Sequence, residues 1–271
     1  MNTTPTESSL RKLAVQMYTV REHTKTAAEL AETLRKIRAI GYEAVQLSAI
    51  GAMNGDNPEV DAALARRILD DSGLRCIATH RPWDRLLNET EAEIEYHQTL
   101  GCDYVAIGGI GGAPEESYGR YRTFAKEAET LIAKLKPAGI RFGHHNHSHE
   151  FFRPERHGKT LEDVLIDEAC PDLMLELDLY WIEHAGLNCV RILERCHGRV
   201  PVIHLKDKEV LIGQNETRMA PIGEGNMDWP AILAACKAAG VNWYAVEQDN
   251  CYRDPFDCLK ASCDFLGQQD L

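Results

Sequence analysis

Ala138-Gly139-Ile140-Arg141-Phe142-Gly143-His144-His145-Asn146-His147-Ser148-His149-Glu150 sets a short apolar run between a glycine and a cluster of four histidines and a carboxylate. Gly139 closes the helical stretch before it, and the apolar run reads as a strand. That strand ends in groups that ligate metals. Imidazole nitrogens and carboxylate oxygens are the usual partners of a divalent transition metal, and a strand that ends in them presents them at the rim of a sheet rather than in its core. A solvated histidine-rich loop is the plain alternative. It is the weaker reading, because the apolar lead-in fixes where the cluster begins and later strands supply matching ligands.

Outward from this stretch the same unit recurs along the chain. The strand candidates are Leu13 to Tyr18, Ala44 to Leu47, Arg75 to Thr79, Tyr104 to Ile107, Ile140 to Gly143, Leu173 to Leu177, Val200 to Leu205 and Trp243 to Glu247. Most are too short and too uniformly apolar for a half-exposed antiparallel sheet, so they pair in parallel with both faces covered. Between them lie helix candidates at Thr26 to Ile40, Pro58 to Ser72, Glu89 to Leu100, Tyr118 to Lys136, Leu161 to Ala169, Asn188 to Cys196, Trp229 to Ala239 and Pro255 to Leu266, several closed by Gly41, Gly73, Gly101, Gly139 or Gly240. Eight β/α units predict a single (β/α)8 barrel of the TIM type over residues 11–271, with residues 1–10 as a polar, frayed tail. A doubly wound open sheet would more often carry a glycine-rich turn after its first strand, and Met17-Tyr18-Thr19-Val20 has no glycine.

Composition narrows the partners. The net charge is −12 over 271 residues and there is no block of five basic residues, so the footprint of a protein that grips nucleic acid or anionic lipid is missing. A small solvated substrate is the better expectation, with a homodimer compatible. No apolar run reaches membrane-span length and Met1 to Ser9 lacks the pattern of a secretory signal, which predicts a cytoplasmic protein. The nine cysteines include no C-x-x-C pair, so neither a disulfide framework nor a thiolate zinc site is expected. Cys251, near other candidate site residues, is the one thiol marked as open to oxidation.

In a barrel of this kind the C-terminal ends of the strands converge on the active face. Reading those ends gives Glu150 just past the fifth strand, Asp178 after the sixth, His204 in the seventh and Glu247 in the eighth. Two glutamates, an aspartate and a histidine suit Mn²⁺ first, then Mg²⁺ or Co²⁺, with Zn²⁺ tolerated. Singly, each has a structural alternative: Asp178 could cap the next helix, His204 could be a satisfied core histidine, and Glu247 could pair with Arg253. Core packing gives no reason to set all four at successive strand ends.

Five ordered motifs then resemble those of one superfamily, over nearly the whole chain from Leu13 to Leu266. They are His145-Asn146-His147-Ser148-His149-Glu150-Phe151, Asp178-Leu179-Tyr180-Trp181 with Ala185-Gly186, His204-Leu205-Lys206-Asp207, Ile222-Gly223-Glu224-Gly225, and Val246-Glu247-Gln248-Asp249. The chain resembles the xylose isomerase-like sugar phosphate isomerase/epimerase superfamily, which includes ketose 3-epimerases, inosose dehydratases and apurinic endonucleases. The resemblance implies a metal held by Glu150, Asp178, His204 and Glu247, with Glu150 and Glu247 also serving as acid/base groups. Two departures matter. The ketose 3-epimerases carry a substrate-contacting histidine where this chain has Trp181, which implies a flatter, apolar contact with the substrate. The endonuclease branch adds a D-x-H pair before I-G-E-G, and Thr217-Arg218-Met219 stands there instead, which argues against DNA cleavage.

These residues support proton abstraction next to a carbonyl, with one glutamate removing the proton and the other returning it. That is isomerisation or epimerisation through an enediolate. Where the substrate carries a leaving group β to the carbanion, as in a 3-keto-glycoside or inosose, the same first step makes a lyase or dehydratase. A non-catalytic, metal-bearing sugar-binding protein is the alternative of another class. Lys206, His80, His145, His147 and Trp181 are the candidate substrate-binding residues. Gly108-Gly109-Ile110-Gly111-Gly112 lacks the Lys-Ser/Thr of a phosphate loop and reads as a place where backbone passes close to the ligand.

Overall fold

The computed structural model describes residues 12–55, 57–110, 117–213 and 216–271. The expected tail at residues 1–10, and Gly111 and Gly112 of the glycine run, lie outside the described residues. Eight parallel strands form the barrel: β1 (Leu13–Gln16), β2 (Ala44–Leu47), β3 (Arg75–His80), β4 (Tyr104–Ile107), β5 (Arg141–His145), β6 (Met174–Glu176), β7 (Val202–Leu205) and β10 (Trp243–Val246). Their spatial order is β6-β5-β4-β3-β2-β1-β10-β7. A parallel bridge between Asp178 and His204, with the His204 amide donating to Leu177 O at 2.9 Å, joins the two ends of that sheet. Two of the expected ligands therefore sit on the seam of the barrel.

The helices are α1 (Ala27–Ile40), α2 (Ala62–Ser72), α3 (Trp83–Asn88), α4 (Thr90–Leu100), α5 (Tyr118–Leu135), α6 (Leu161–Glu168), α7 (Leu179–His184), α8 (Cys189–Arg195), α9 (Trp229–Ala239) and α10 (Pro255–Leu266). Capping explains several of their starts. Thr26 and Glu29 form a reciprocal capping box at α1, as do Thr160 and Asp163 at α6. The expected helix from Pro58 begins four residues later, where Asp61 accepts from the Leu64 amide at 2.7 Å. The expected strand to Tyr18 stops at Gln16, because the Gln16 side chain accepts from the Tyr18 amide at 2.6 Å and the chain coils into a 3-10 turn over Met17–His23.

Side chains alternate along each strand, and this sorts the core into two layers. Ala14, Ala44, Ala78, Ala106 and Ala245 face the barrel axis with Tyr104 and Val202. Their odd-even partners Val15, Val45, Val105 and Val246 pack outward under helix residues such as Leu34, Leu69, Leu131 and Leu259. Two residues beyond all of these alanines and Val202 except Ala106, which is followed by Gly108, comes a polar group: Gln16, Gln46, His80, His204 and Glu247. Small apolar side chains plug the lower barrel, and polar ones line its C-terminal mouth.

One antiparallel hairpin interrupts the repeat, β8 (Asp207–Val210) with β9 (Thr217–Ala220). It is anchored by Asp207, whose buried carboxylate accepts from the amides of Gly223 (2.9 Å), Gly225 (3.1 Å) and Met227 (3.3 Å) and from Trp229 Nε1 (2.6 Å). A Cβ on Gly225 would lie 2.3 Å from Asp207 Oδ1, so only glycine lets the backbone wrap this carboxylate. The Ile222-Gly223-Glu224-Gly225 motif thus has a structural task, and Glu224 rather than Glu247 pairs with Arg253, at 2.8 Å. Among the described residues no helix is long and apolar enough to cross a membrane.

Candidate metal centre and substrate pocket

Asp178, His204 and Glu247 converge at the mouth because their strands are neighbours and share one inward register. His204 Nδ1 lies 3.0 Å from Glu247 Oε2 and 3.8 Å from Asp178 Oδ2, and all three side chains are buried. Their ligating atoms fall within 4.8 Å of one another. Asp178 does cap the following helix, but only with Oδ1, which accepts from the Trp181 amide at 3.2 Å. Its second oxygen is left for the centre.

Lys206, one inward step beyond His204, reaches the same place. Its ammonium lies 2.9 Å from Asp178 Oδ2, 3.0 Å from Glu247 Oε2 and 2.8 Å from Asp249 Oδ1. Burial disfavours the charge on Lys206, yet these three carboxylates together raise its pKa. Burial likewise opposes ionisation of Glu247, but Lys206 and His204 carry its carboxyl far below the usual range. At Asp178 burial prevails over Lys206 and His204, and the carboxyl is pushed up to about 6. Asp178 and Glu247, two of the three carboxylates on this ammonium, are thus unequal.

Glu150 sits beside this trio rather than within it. It lies in a 3-10 turn over His149–Phe151, where Oε2 accepts from the His147 amide at 2.8 Å and Oε1 meets His149 Nε2 at 2.9 Å. The structure groups Glu150 with His147 and His149 as potential ligands. Burial raises its carboxyl, but the contact with His149 brings it below the usual value.

The residues fit a divalent cation. Asp178 Oδ2, His204 Nδ1, Glu247 Oε2 and Glu150 Oε1 are each buried without a hydrogen bond of normal geometry, their close contacts being the ionic ones just described. The oxygens and imidazole nitrogen of Asp178, His204 and Glu247 are a donor set for Mn²⁺, Mg²⁺, Co²⁺ or Zn²⁺, with the Glu150 oxygen in the neighbouring group of His147 and His149.

A cavity of about 350 Å³ opens above the centre, lined among others by His80, His145, His147, Trp181, Lys206 and Glu247. All five expected substrate-binding side chains therefore border one space. The Trp181 indole packs 5.9 Å from the His147 ring, Lys206 Nζ sits 5.7 Å from its centroid, and its Nε1 is buried without a hydrogen-bond partner. Gly108 also lines the cavity, as expected of the glycine run. Cys251 lies outside it, its thiol raised by contact with Cys258.

Three polar residues that shape this site were missed in the sequence. Glu176, wholly buried on β6, meets His80 Nε2 at 2.5 Å and accepts from Gln46 Nε2 at 3.0 and 3.2 Å. Gln46 Oε1 in turn lies 2.8 Å from His204 Nε2, and Gln16 Nε2 donates to Glu247 Oε1 at 2.8 Å. Their signal was present: each is a lone polar residue in an otherwise apolar strand, on the inward parity of the residues that were found.

A (β/α)8 barrel with carboxylate and imidazole side chains at adjacent strand ends defines the class. The chain belongs to the xylose isomerase-like TIM barrel family, whose model matches residues 34–268. No curated protein matches it in sequence. Among solved structures it is similar to a sugar phosphate isomerase/epimerase from Parabacteroides distasonis, at 21% identity and a TM-score of 0.76 over 98% of each chain. It is also similar to L-ribulose 3-epimerase, at 16% identity and TM-score 0.70 over 94% of this chain and 93% of that one. A third is the IolI protein with a bound zinc atom, at 15% identity and TM-score 0.68 over 93% and 95%. At these identities the likeness establishes the fold.

Proposed function

We propose that this protein is a divalent-metal-dependent sugar isomerase or epimerase that works through an enediolate on a keto-sugar or related polyol. The observation that carries the reading is the convergence of Asp178, His204 and Glu247 at one point of the barrel mouth, with Glu150 beside them and a sugar-sized cavity above. A cation bound there supplies Lewis acidity to a sugar carbonyl and its neighbouring hydroxyl, Mn²⁺ being the first expectation.

The rest of the chemistry falls to side chains. Glu247 is ionised at neutral pH and can accept a proton from the carbon next to the carbonyl. Glu150, carried by β5 and so three strand positions round the ring from β10, would reach the substrate from another side; it starts ionised beside His149, so it takes up a solvent proton to protonate the enediolate while Glu247 releases to solvent the one it removed. Lys206 places a positive charge at the cavity wall for a hydroxyl or carboxylate. His80, His145 and His147 offer donors to sugar oxygens, and Trp181 covers one face of the ring. The acidic chain and the small size of the pocket favour a small carbohydrate over nucleic acid.

The test is a panel of ketoses, inososes and 3-keto-glycosides incubated with the Mn²⁺-loaded protein in D₂O and followed by NMR. Deuterium entering a substrate carbon, with a stereoisomer or positional isomer as product, is the expected result. An unsaturated product would move the enzyme to the lyase reading. Binding of a sugar with no exchange into any substrate would contradict catalysis and leave a binding protein.

A further inference from the structure

Outside the barrel wall, behind Glu150, four polar atoms are sealed from water. His144 is on the outward face of β5, where the Phe124 ring packs edge-on to it with centroids 5.8 Å apart, and neither of its ring nitrogens makes a hydrogen bond. Glu162, in the first turn of α6, is also fully buried, and neither carboxyl oxygen makes one. His144 Nδ1 faces Glu162 Oε2 at 3.6 Å, and on its far side Nε2 faces Glu150 Oε1 at 3.9 Å. A carboxyl and an imidazole in an apolar layer, each short of partners, are costly to bury. Leucine or phenylalanine would suit that layer better. What the polar pair has that an apolar pair lacks is a straight connection to Glu150.

We infer that Glu162 and His144 are positioning residues for Glu150: Glu162 fixes the tautomer and ring plane of His144, and His144 Nε2–H steadies the Glu150 carboxylate toward the pocket. The inference rests on the acid/base reading of Glu150 given above. Both separations exceed a hydrogen bond by a few tenths of an ångström, and such contacts commonly close only when the site is loaded. A further fact agrees with the assignment of protons. Burial, reinforced by the charge of Glu150, pushes the Glu162 carboxyl well above the usual range, so that it is a neutral O–H donor for Nδ1. A neutral acid bonded to Nδ1 leaves the imidazole hydrogen on Nε2, the nitrogen that faces Glu150. Metal-site carboxylates are commonly steadied by such outer partners.

The experiment compares Glu162→Leu with Glu162→Gln in the full-length protein. Leucine fills the space without a donor, and glutamine keeps an N–H for Nδ1. Expected for Glu162→Leu are an unchanged or raised melting temperature, a 10- to 100-fold lower kcat with KM nearly constant, and a weaker Mn²⁺ affinity by calorimetry. Glu162→Gln should restore most of both. In ¹⁵N-histidine NMR, His144, assigned through His144→Leu, should be the Nε2–H tautomer in the wild type and lose that bias in Glu162→Leu. Wild-type kcat, Mn²⁺ affinity and tautomer in Glu162→Leu would overturn the inference. So would a joint loss of stability and activity that glutamine fails to rescue, since that marks a structural role. If Glu150→Gln also turned over at the native rate, the acid/base reading would fall, while the tautomer and Mn²⁺ affinity would still decide the positioning role.

Discussion

Gln46 and His204 are joined at 2.8 Å, amide oxygen to Nε2, while the Gln46 amide nitrogen is committed to Glu176. That pairing fixes which end of the amide faces the imidazole and keeps a hydrogen on Nε2, so that Nδ1, which meets the Glu247 carboxylate at 3.0 Å, is the nitrogen a cation would take. Gln46→Leu should therefore lower divalent-metal affinity about 10- to 100-fold in a calorimetric titration, the range typical for losing such a support. Unchanged affinity would mean that His204 is oriented by its packing alone.

Glu150→Gln and Glu247→Gln should each cut turnover by orders of magnitude while metal stays bound. An amide oxygen still ligates, but it accepts no proton. Metal content of each variant is the control. Near-native rates in both, with metal present, would move the acid/base work to His147 or His80.

Trp181 borders the cavity where related ketose 3-epimerases have a histidine, and its indole offers stacking area in place of a hydrogen bond. Trp181→Ala should weaken substrate binding by about 1–3 kcal/mol. Trp181→His should raise activity on free ketoses relative to keto-glycosides or inososes. The same ratio of activities in all three proteins would return Trp181 to a purely structural role.

Much of this site was legible because a parallel barrel turns strand ends into one surface. Asp178, His204 and Glu247 could be placed from strand order alone. Glu176 and Gln46 went unnoticed because the strands were read for ligands only at their ends, although the parity that selects Asp178 also selects Glu176 two residues before it. Helix α7 escaped notice for a different reason: six residues hold under two turns, too few for a periodic pattern. The β8–β9 hairpin lacks the tight-turn signature of a short loop, and what holds it is Asp207 bonded to a loop that follows β9 in sequence. Glu150 was placed near the strand end, but its turn with His147 and His149 depends on local hydrogen bonds that spacing does not reveal.

The metal-free protein should lose stability in mild acid. Burial holds His144 and His147 at about 4 and His145 also well below its ordinary value, so between about pH 6 and 4.5 the unfolded chain binds more protons at these imidazoles than the folded one. Stability falls as pH falls through that window. Asp178, raised to about 6, and Glu162, raised further, act in the opposite sense, because the folded state holds protons there that the unfolded state has lost. His97 is lowered by burial as well and Asp249 is raised, so four lowered imidazoles stand against three raised carboxyls and leave a net loss. Thermal melts in EDTA should show Tm dropping from pH 6 to 4.5, less steeply in His147→Gln. A flat or rising Tm would contradict the assignment of these histidines as buried and neutral.

The central claim is that Glu150, Asp178, His204 and Glu247 share one divalent ion, and elemental analysis of purified wild-type and Asp178→Ala protein tests it most directly. The account predicts one ion per wild-type chain and almost none in Asp178→Ala. Two or more tightly bound ions per chain, or a full complement in Asp178→Ala, would contradict it.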